Sequence, residues 1–262
     1  MSHFRTERAA GLPVLTYHSI GPERSVVATE AGRFAETISA LLGAGRRPVD
    51  LDDWIARGRP DEPGAFAVVF DDGLRSVLFC ADVLARGRIP ATVFLVSDRV
   101  GTDNAWPGQP RGVPVEPTLD WSEVAALARL GVRFASHGAS HARLDRLDEL
   151  GLARELRSSR DRIEERTGLP CRLLAYPYGR SSRLVRLAAA RHFSAAFGTT
   201  LGRSAISQDI CDLSRIDAYY LRDRRVLESL IADRADGWLH RRRVLRAVRR
   251  PLSTLLRAGR ET

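Results

Sequence analysis

Two histidines spaced four residues apart, His137 and His141 in "SHGASH", could hold a divalent cation. Side chains at this spacing can face the same way across one turn, and imidazole is a common ligand of zinc. Two adjacent carboxylates, Asp71 and Asp72, end the apolar run "AFAVVF". One carboxylate would complete a His2Asp ligand set, and the other could take a proton from water. These residues predict metal-assisted hydrolysis, in which the cation offsets the cost of crowding two carboxylates.

Further polar residues follow other short apolar runs, at the points where strands would end. His18 follows "VLTY", the segment "YPYG" at 176–179 follows "CRLLA", and Arg215 lies in "LSRID". In (β/α) folds, functional groups collect at the C-terminal ends of the strands. We therefore expect these residues to share one rim with the two acids and the two histidines.

Short apolar runs alternate with longer amphipathic segments, such as the helices predicted over 30–45 and 148–167. This alternation predicts an α/β fold with seven or eight mostly parallel strands and helices outside them. A chain of 262 residues has the length of a (β/α) barrel. An open, doubly wound parallel sheet is the alternative topology, although the phosphate-binding fingerprint GxGxxG is missing.

A basic segment at 235–262 differs from the barrel predicted over 1–234. It is helical in pattern, is interrupted at Pro251, and carries an apolar stripe among arginines. The stripe consists of Val244, Leu245, Val248, Leu252, Leu255 and Leu256. One interpretation is a helix packed on the barrel, and the other is a helix that contacts an anionic membrane surface.

The composition limits the partners and the compartment. The net charge is +9, and all 41 basic residues are arginine. A basic surface could meet nucleic acid, anionic lipid or an acidic glycan, but no nucleic-acid-binding motif is present and no nucleic-acid partner is expected. Three cysteines without CxxC spacing predict free, buried thiols in a reducing compartment. Because no stretch resembles a signal peptide or a membrane span, we expect a cytoplasmic protein.

Three motifs in order, "VVFDDG", "SHGASH" and "YPYG", resemble those of the polysaccharide deacetylases of the NodB-homology type, carbohydrate esterase family 4. The resemblance spans roughly residues 12–220. It implies a distorted (β/α) barrel that uses a divalent metal, often zinc, with cobalt and nickel as alternatives. The expected reaction removes N-acetyl groups from N-acetylhexosamine residues of a polysaccharide, an oligosaccharide or a lipid-linked glycan. The resemblance also implies Asp72, His137 and His141 as metal ligands, Asp71 as general base, and the backbone N–H of Tyr178 as an oxyanion donor.

The sequence departs from the family motifs at several positions. Val69 stands where the first motif begins with Thr or Ser, and Gly138 replaces the hydroxyl residue of the second. The family's base-orienting Arg is out of register, so we expect Arg215 to replace it. The C-terminal Leu-x-His is also missing, and His240 in "GWLHRRR" only mimics it. His18 in "LTYHSI" is the expected general acid, as in the exopolysaccharide subgroup with an N-terminal Tyr-His motif.

The sequence leaves several alternatives open for the function and for the substrate-binding residues. The same site could serve an O-acetyl esterase or another non-peptide amide hydrolase, and the altered motifs also fit a catalytically silent glycan-binding module. Trp106 and Trp121 are candidates for walls on which a sugar stacks, although Trp121 could instead anchor a helix. Gly73 is expected to leave room for substrate.

Overall fold

The computed structural model describes residues 10–110 and 112–246, which contain ten strands, seven helices between Ala31 and Ile231, and a further helical segment at 236–246. The strands are β1 (Val14–Tyr17), β2 (Ser19–Ile20), β3 (Ala28–Thr29), β4 (Arg47–Pro48), β5 (Ala65–Phe70), β6 (Thr92–Leu95), β7 (Arg133–Ser136), β8 (Leu173–Ala175), β9 (Ala195–Leu201) and β10 (Leu213–Asp217). The helices are α1 (Ala31–Gly43), α2 (Leu51–Ala56), α3 (Ala81–Arg86), α4 (Trp121–Arg129), α5 (Glu149–Thr167), α6 (Arg183–Ala189) and α7 (Arg224–Ile231).

Seven parallel strands close into a barrel. Strand β1 pairs in parallel with β5 on one side and with β10 on the other, and β6 to β9 complete the ring. Strand β4 lies outside the ring and pairs with β5. The predicted distorted (β/α) barrel is therefore confirmed. The open, doubly wound alternative is wrong, because the β1–β5 pairing closes the ring and leaves none of its seven strands with a free edge.

The barrel interior is filled by alternate residues of each strand, because successive side chains of a strand point to opposite faces. Phe94 and Phe197 pack there with ring centroids 6.0 Å apart. Their neighbours in this buried cluster include four alanines of β5, β7, β8 and β9, namely Ala67, Ala135, Ala175 and Ala195. Trp54 of α2 belongs to the same cluster. Small and large side chains thus share a narrow interior, while the opposite strand faces pack against the helices.

The same alternation brings polar residues inward at the C-terminal end of the barrel. Each lies two positions beyond an interior residue: Asp71 after Val69, His137 after Ala135, and Arg215 after Leu213. The polar cluster therefore lies directly next to the apolar interior side chains, at the C-terminal end of the barrel. This explains Val69, because an apolar side chain suits its fully buried position below Asp71.

The first part of the basic segment packs on the barrel. Residues 236–246 are helical, and Ala235 and Leu239 are buried in the outer core. The buried guanidinium of Arg203 donates to Asp236 Oδ1 at 2.8 Å and to Asp233 Oδ1 at 2.6 Å. These contacts fix the start of the helix against the end of β9.

Most of the apolar stripe predicted in this segment lies outside the described residues. Val244 and Leu245 are about half exposed, and residues 247–262 are not described. The contact with an anionic membrane surface therefore stays a prediction. Within 10–110 and 112–246, no helix is long and apolar enough to span a bilayer.

Candidate functional site

The two adjacent carboxylates at the end of β5 face different partners. Asp71 continues the strand, and its N–H donates to the carbonyl of Tyr17 at 2.9 Å. Its Oδ1 accepts from Arg215 Nη1 at 2.7 Å. Asp72 has a φ of 72°, in the left-handed region that non-glycine residues rarely adopt, and this turn redirects its side chain. Asp72 Oδ1 lies 3.4 Å from His137 Nε2 and 3.3 Å from His141 Nε2.

These three residues form a donor set that fits a divalent cation. One ligand atom from each of Asp72, His137 and His141 lies within 4.8 Å of the others. With zinc–nitrogen and zinc–oxygen bonds of about 2.0–2.2 Å, two ligand atoms of a tetrahedral site lie about 3.4 Å apart. The distances from Asp72 Oδ1 to the Nε2 atoms of the two histidines match this separation between ligand atoms. Three protein ligands leave a fourth position for water or substrate, as in catalytic zinc sites.

Each histidine has one ring nitrogen available to a metal. Burial lowers the pKa of His137, but the carboxylates of Asp72 and Asp71 outweigh this effect and raise its pKa above the usual value. His137 Nδ1 lies 2.8 Å from the carbonyl oxygen of Ala175, which can only accept, so Nδ1 carries the proton and Nε2 presents its lone pair. The ring of His141 packs between Trp106 and Tyr178, with centroid distances of 4.1 Å and 4.6 Å. Burial lowers the pKa of His141 below its usual value, which keeps the imidazole neutral.

The loop between the two histidines is held by the side chains of Glu155 and Ser136. Glu155 of α5 accepts hydrogen bonds from the backbone N–H of Ser140 at 2.6 Å and from its hydroxyl at 3.1 Å. The hydroxyl of Ser136 accepts from the N–H of Gly138 at 3.0 Å and shares a hydrogen bond with Ser159. The support expected from a hydroxyl at position 138 is thus supplied by Ser136 and Glu155.

Sequence reasoning missed Glu155 and Ser159, although the sequence carries a signal for them. Both fall on the apolar stripe of α5, with Leu152, Leu156 and Ile163 at helical spacing. A polar side chain on the core-facing stripe of a helix needs a buried partner. Gly138 is also required locally, because its φ is +81° and a Cβ there would lie 3.1 Å from a Glu155 oxygen.

Asp71 is the buried carboxylate beside the donor set. Burial raises its pKa, but Arg215, His137 and His18 outweigh this effect and hold the pKa below its usual value. Arg215 is itself fixed, since its Nε donates to the Gly198 carbonyl at 3.0 Å. His18 Nε2 lies 3.7 Å from the second oxygen of Asp71. The structure therefore places Arg215 and His18 on either oxygen of the expected base, while their catalytic roles stay predictions.

The "YPYG" segment forms a tight turn at the rim. Tyr178 has a φ of 59°, and its N–H makes no hydrogen bond with any described residue, which leaves it free to donate into the cleft. Gly179 is required, because a Cβ there would lie 2.2 Å from the side chain of Thr199. The cleft has a volume of about 200 Å³, and both residues line it together with His18, Asp71 and Arg215.

Three side chains that the sequence offered as possible site residues do not take part in the cleft. Trp106 is only 3% exposed and packs on His141, so it offers no open face to a sugar. Trp121 begins α4 beside Arg166 and does not line the cleft, so it is a helix anchor. His240 is exposed on the helix at 236–246, near Arg243, and does not line the cleft either.

Gly73 does not leave room for substrate. With a φ of +63°, it packs against β6, and a Cβ there would lie 2.8 Å from a methyl carbon of Leu95. This glycine therefore allows a close approach between backbone and core.

Comparison with known families gives one sequence match. A family model described as polysaccharide deacetylase matches residues 58–194, more than half of the chain. The matched region includes the two acids, the two histidines and the "YPYG" turn. No curated protein matches the chain significantly.

Solved structures share the fold at low sequence identity. A polysaccharide deacetylase from Bacillus cereus has a TM-score of 0.67 at 21% identity, covering 79% of this chain and 64% of that one. IcaB from Ammonifex degensii has a TM-score of 0.69 at 23% identity, covering 87% of this chain and 98% of that one. The Streptococcus pyogenes deacetylase PplD, in complex with acetate, has a TM-score of 0.70 at 16% identity, covering 79% of this chain and 92% of that one. The chain thus spans 64% of the length of the Bacillus cereus protein.

Loss of the Arg215 guanidinium should destabilise the barrel, because Asp71 would remain buried without its main cationic partner. We expect Arg215→Met to lower the free energy of unfolding by about 3 kcal/mol. Adding Asp71→Asn to it should restore part of that loss, since the buried charge is then gone. Chemical denaturation of chelator-treated protein measures both values.

The matched control is Arg180→Met, which removes an exposed arginine near the same rim and should change stability by less than about 0.5 kcal/mol. Strictly additive effects of Arg215→Met and Asp71→Asn would show that the two side chains do not stabilise each other.

Proposed function

The chain belongs to the polysaccharide deacetylase family, a family of hydrolases, and on that premise we propose that it is a metal-dependent carbohydrate deacetylase that removes N-acetyl groups from N-acetylhexosamine residues. One observation carries this proposal: the Asp72, His137 and His141 donor set lies directly beside a second, buried carboxylate that a guanidinium holds. A metal and a separate base are the two groups that hydrolysis of an unreactive amide requires.

Asp72, His137 and His141 would hold the cation, and we take zinc as the metal because imidazole and carboxylate suit it; cobalt and nickel accept the same ligands. A bound cation would polarise the acetyl carbonyl and lower the pKa of the attacking water. Asp71 would accept the proton of that water, with its carboxylate aimed by Arg215. The N–H of Tyr178 would donate to the oxyanion that develops on the carbonyl.

His18 would protonate the leaving amine, the role that the exopolysaccharide subgroup assigns to an N-terminal Tyr-His motif. Three facts support this role: His18 follows β1 at the C-terminal end of the barrel, lines the cleft, and lies close to Asp71. An amide needs this proton because an amine is a poor leaving group, whereas an ester needs it less. A general acid within the cleft therefore favours amide hydrolysis over the O-acetyl esterase alternative.

The proposal includes a cytoplasmic location and an N-acetylated glycan as the partner. Cys80, Cys171 and Cys211 are free and buried, as expected for a reducing compartment. A glycan used in exopolysaccharide synthesis is one substrate that fits such a location.

Acetate release from a panel of N-acetylated and O-acetylated glycans tests the proposed activity. We expect release from N-acetylated members only, abolition by chelator, and recovery on adding zinc, because the cation is needed for polarisation and for the water. Release from O-acetylated members alone would identify an esterase. Glycan binding without release by any metal-loaded sample would identify a silent binding module.

Substitution of His18 should slow amide hydrolysis more than ester hydrolysis. We expect His18→Ala to lower kcat on an N-acetylated substrate roughly 100-fold, a typical loss for a general acid, with metal content unchanged. On 4-nitrophenyl acetate, whose leaving group needs no proton, the loss should be less than about tenfold. His192→Ala, at a partly exposed histidine after α6, is the control. An amide kcat close to that of the wild type would remove His18 from the mechanism.

A further inference from the structure

A second cavity, of about 630 Å³, lies beside the catalytic cleft and is distinct from it. Its volume falls in the range of small-molecule binding sites, about 300–1,000 Å³. Most of its wall is apolar, and the apolar residues that form it include Ile20, Pro22, Leu78, Phe79, Pro114 and Pro117. We call this cavity the apolar groove.

The apolar groove and the catalytic cleft share two walls. In the first wall, His18 lines the cleft and the next residue, Ser19, lines the groove. In the second, Val113 lines the cleft and Pro114 lines the groove. The Ser19 hydroxyl donates to Glu116 Oε2 at 2.8 Å and ties the two walls together. These two walls separate the groove from the cleft, and a molecule whose acetamido group lies at the donor set would have to cross them to reach the groove.

Large apolar side chains are left open to solvent in this region. Phe79 is 70% exposed, although Val77 and Cys80 of the same 3₁₀ turn are buried in the core. Val115, the residue after Pro114, is 62% exposed. Clustered exposed apolar residues next to a cleft are typical of surfaces that bind an apolar partner.

Positive charge accompanies the apolar wall. Arg24 lines the groove, is exposed, and forms no ion pair with any described residue. Arg75 also lines it and pairs with Glu123 at 2.6 Å. An amphiphile with an anionic group next to a hydrocarbon chain complements such a surface. Ser19, Ser76 and Glu116 are the other polar residues of the lining, and Glu116 is hydrogen-bonded to Ser19. Most of the exposed surface of the groove is nevertheless apolar, which suits a hydrocarbon chain better than a sugar polymer.

We propose that the apolar groove binds the hydrocarbon chain of a lipid-linked sugar, with Arg24 beside its anionic phosphate linker, so that the substrate class of this site is a lipid-linked N-acetylated glycan. This inference rests on the proposed deacetylase function. It assigns the groove to the lipid and the cleft to the sugar.

Substrates that differ only in the aglycone test the assignment. We would compare methyl and decyl phosphate-linked N-acetylglucosamine, below the micelle concentration, by acetate release and by calorimetric binding. We expect KM and Kd to be at least tenfold lower for the decyl compound. Phe79→Ser should raise both roughly tenfold for the decyl compound and leave the methyl compound unchanged, because only the chain contacts Phe79.

Leu184→Ser is the matched control, since Leu184 is 74% exposed on α6 and does not line the groove. Equal affinity for the two aglycones, or an effect of Phe79→Ser on long N-acetylated oligosaccharides instead, would overturn the lipid assignment and leave the deacetylase function standing. Binding of the decyl compound without any acetate release would contradict the deacetylase function and leave the groove assignment standing.

Discussion

Two adjacent carboxylates at the buried end of one strand are the constraint on which the site depends. Neither carboxylate can be buried without a cationic or hydrogen-bonding partner, and each needs a partner of its own. The left-handed backbone of Asp72 separates them: Asp71 faces Arg215, and Asp72 faces two imidazoles. This conformation costs of order 1 kcal/mol, which the surrounding contacts must offset. A metal at Asp72 would complete the charge balance.

The barrel supplies the partners through its alternation of side chains. Asp71, His137 and Arg215 each lie two positions after an interior residue of β5, β7 or β10. Side chains from three different strands therefore meet in the cleft. The first turn after β7 is then fixed from outside by Glu155 of α5. The interior positions the base and its cation, and a helix outside the barrel positions the loop that carries His141.

The sequence predicted the parts of the site that depend on strand ends. Asp71, Asp72, His137 and Arg215 could be placed because parallel strands of a barrel end at one rim, whatever the details of packing. Glu155 was missed because its partner is a loop that no periodicity locates. The sugar-stacking role expected for Trp106 was wrong, and Trp121 takes its alternative role as a helix anchor, because the burial of an aromatic ring depends on tertiary packing. Gly73 was misread for the same reason, since its contact with Leu95 joins two strands.

The central claim is the division of labour between the two acids, and the most direct test measures zinc content and acetate release on Asp71→Asn and Asp72→Asn together. If Asp72 binds the metal and Asp71 is the base, Asp71→Asn keeps one zinc ion per chain and loses at least roughly 100-fold in kcat. Asp72→Asn then loses the zinc itself. Equal loss of zinc from both variants, or hydrolysis of substrate by Asp71→Asn at the wild-type rate, would contradict these roles of the two acids.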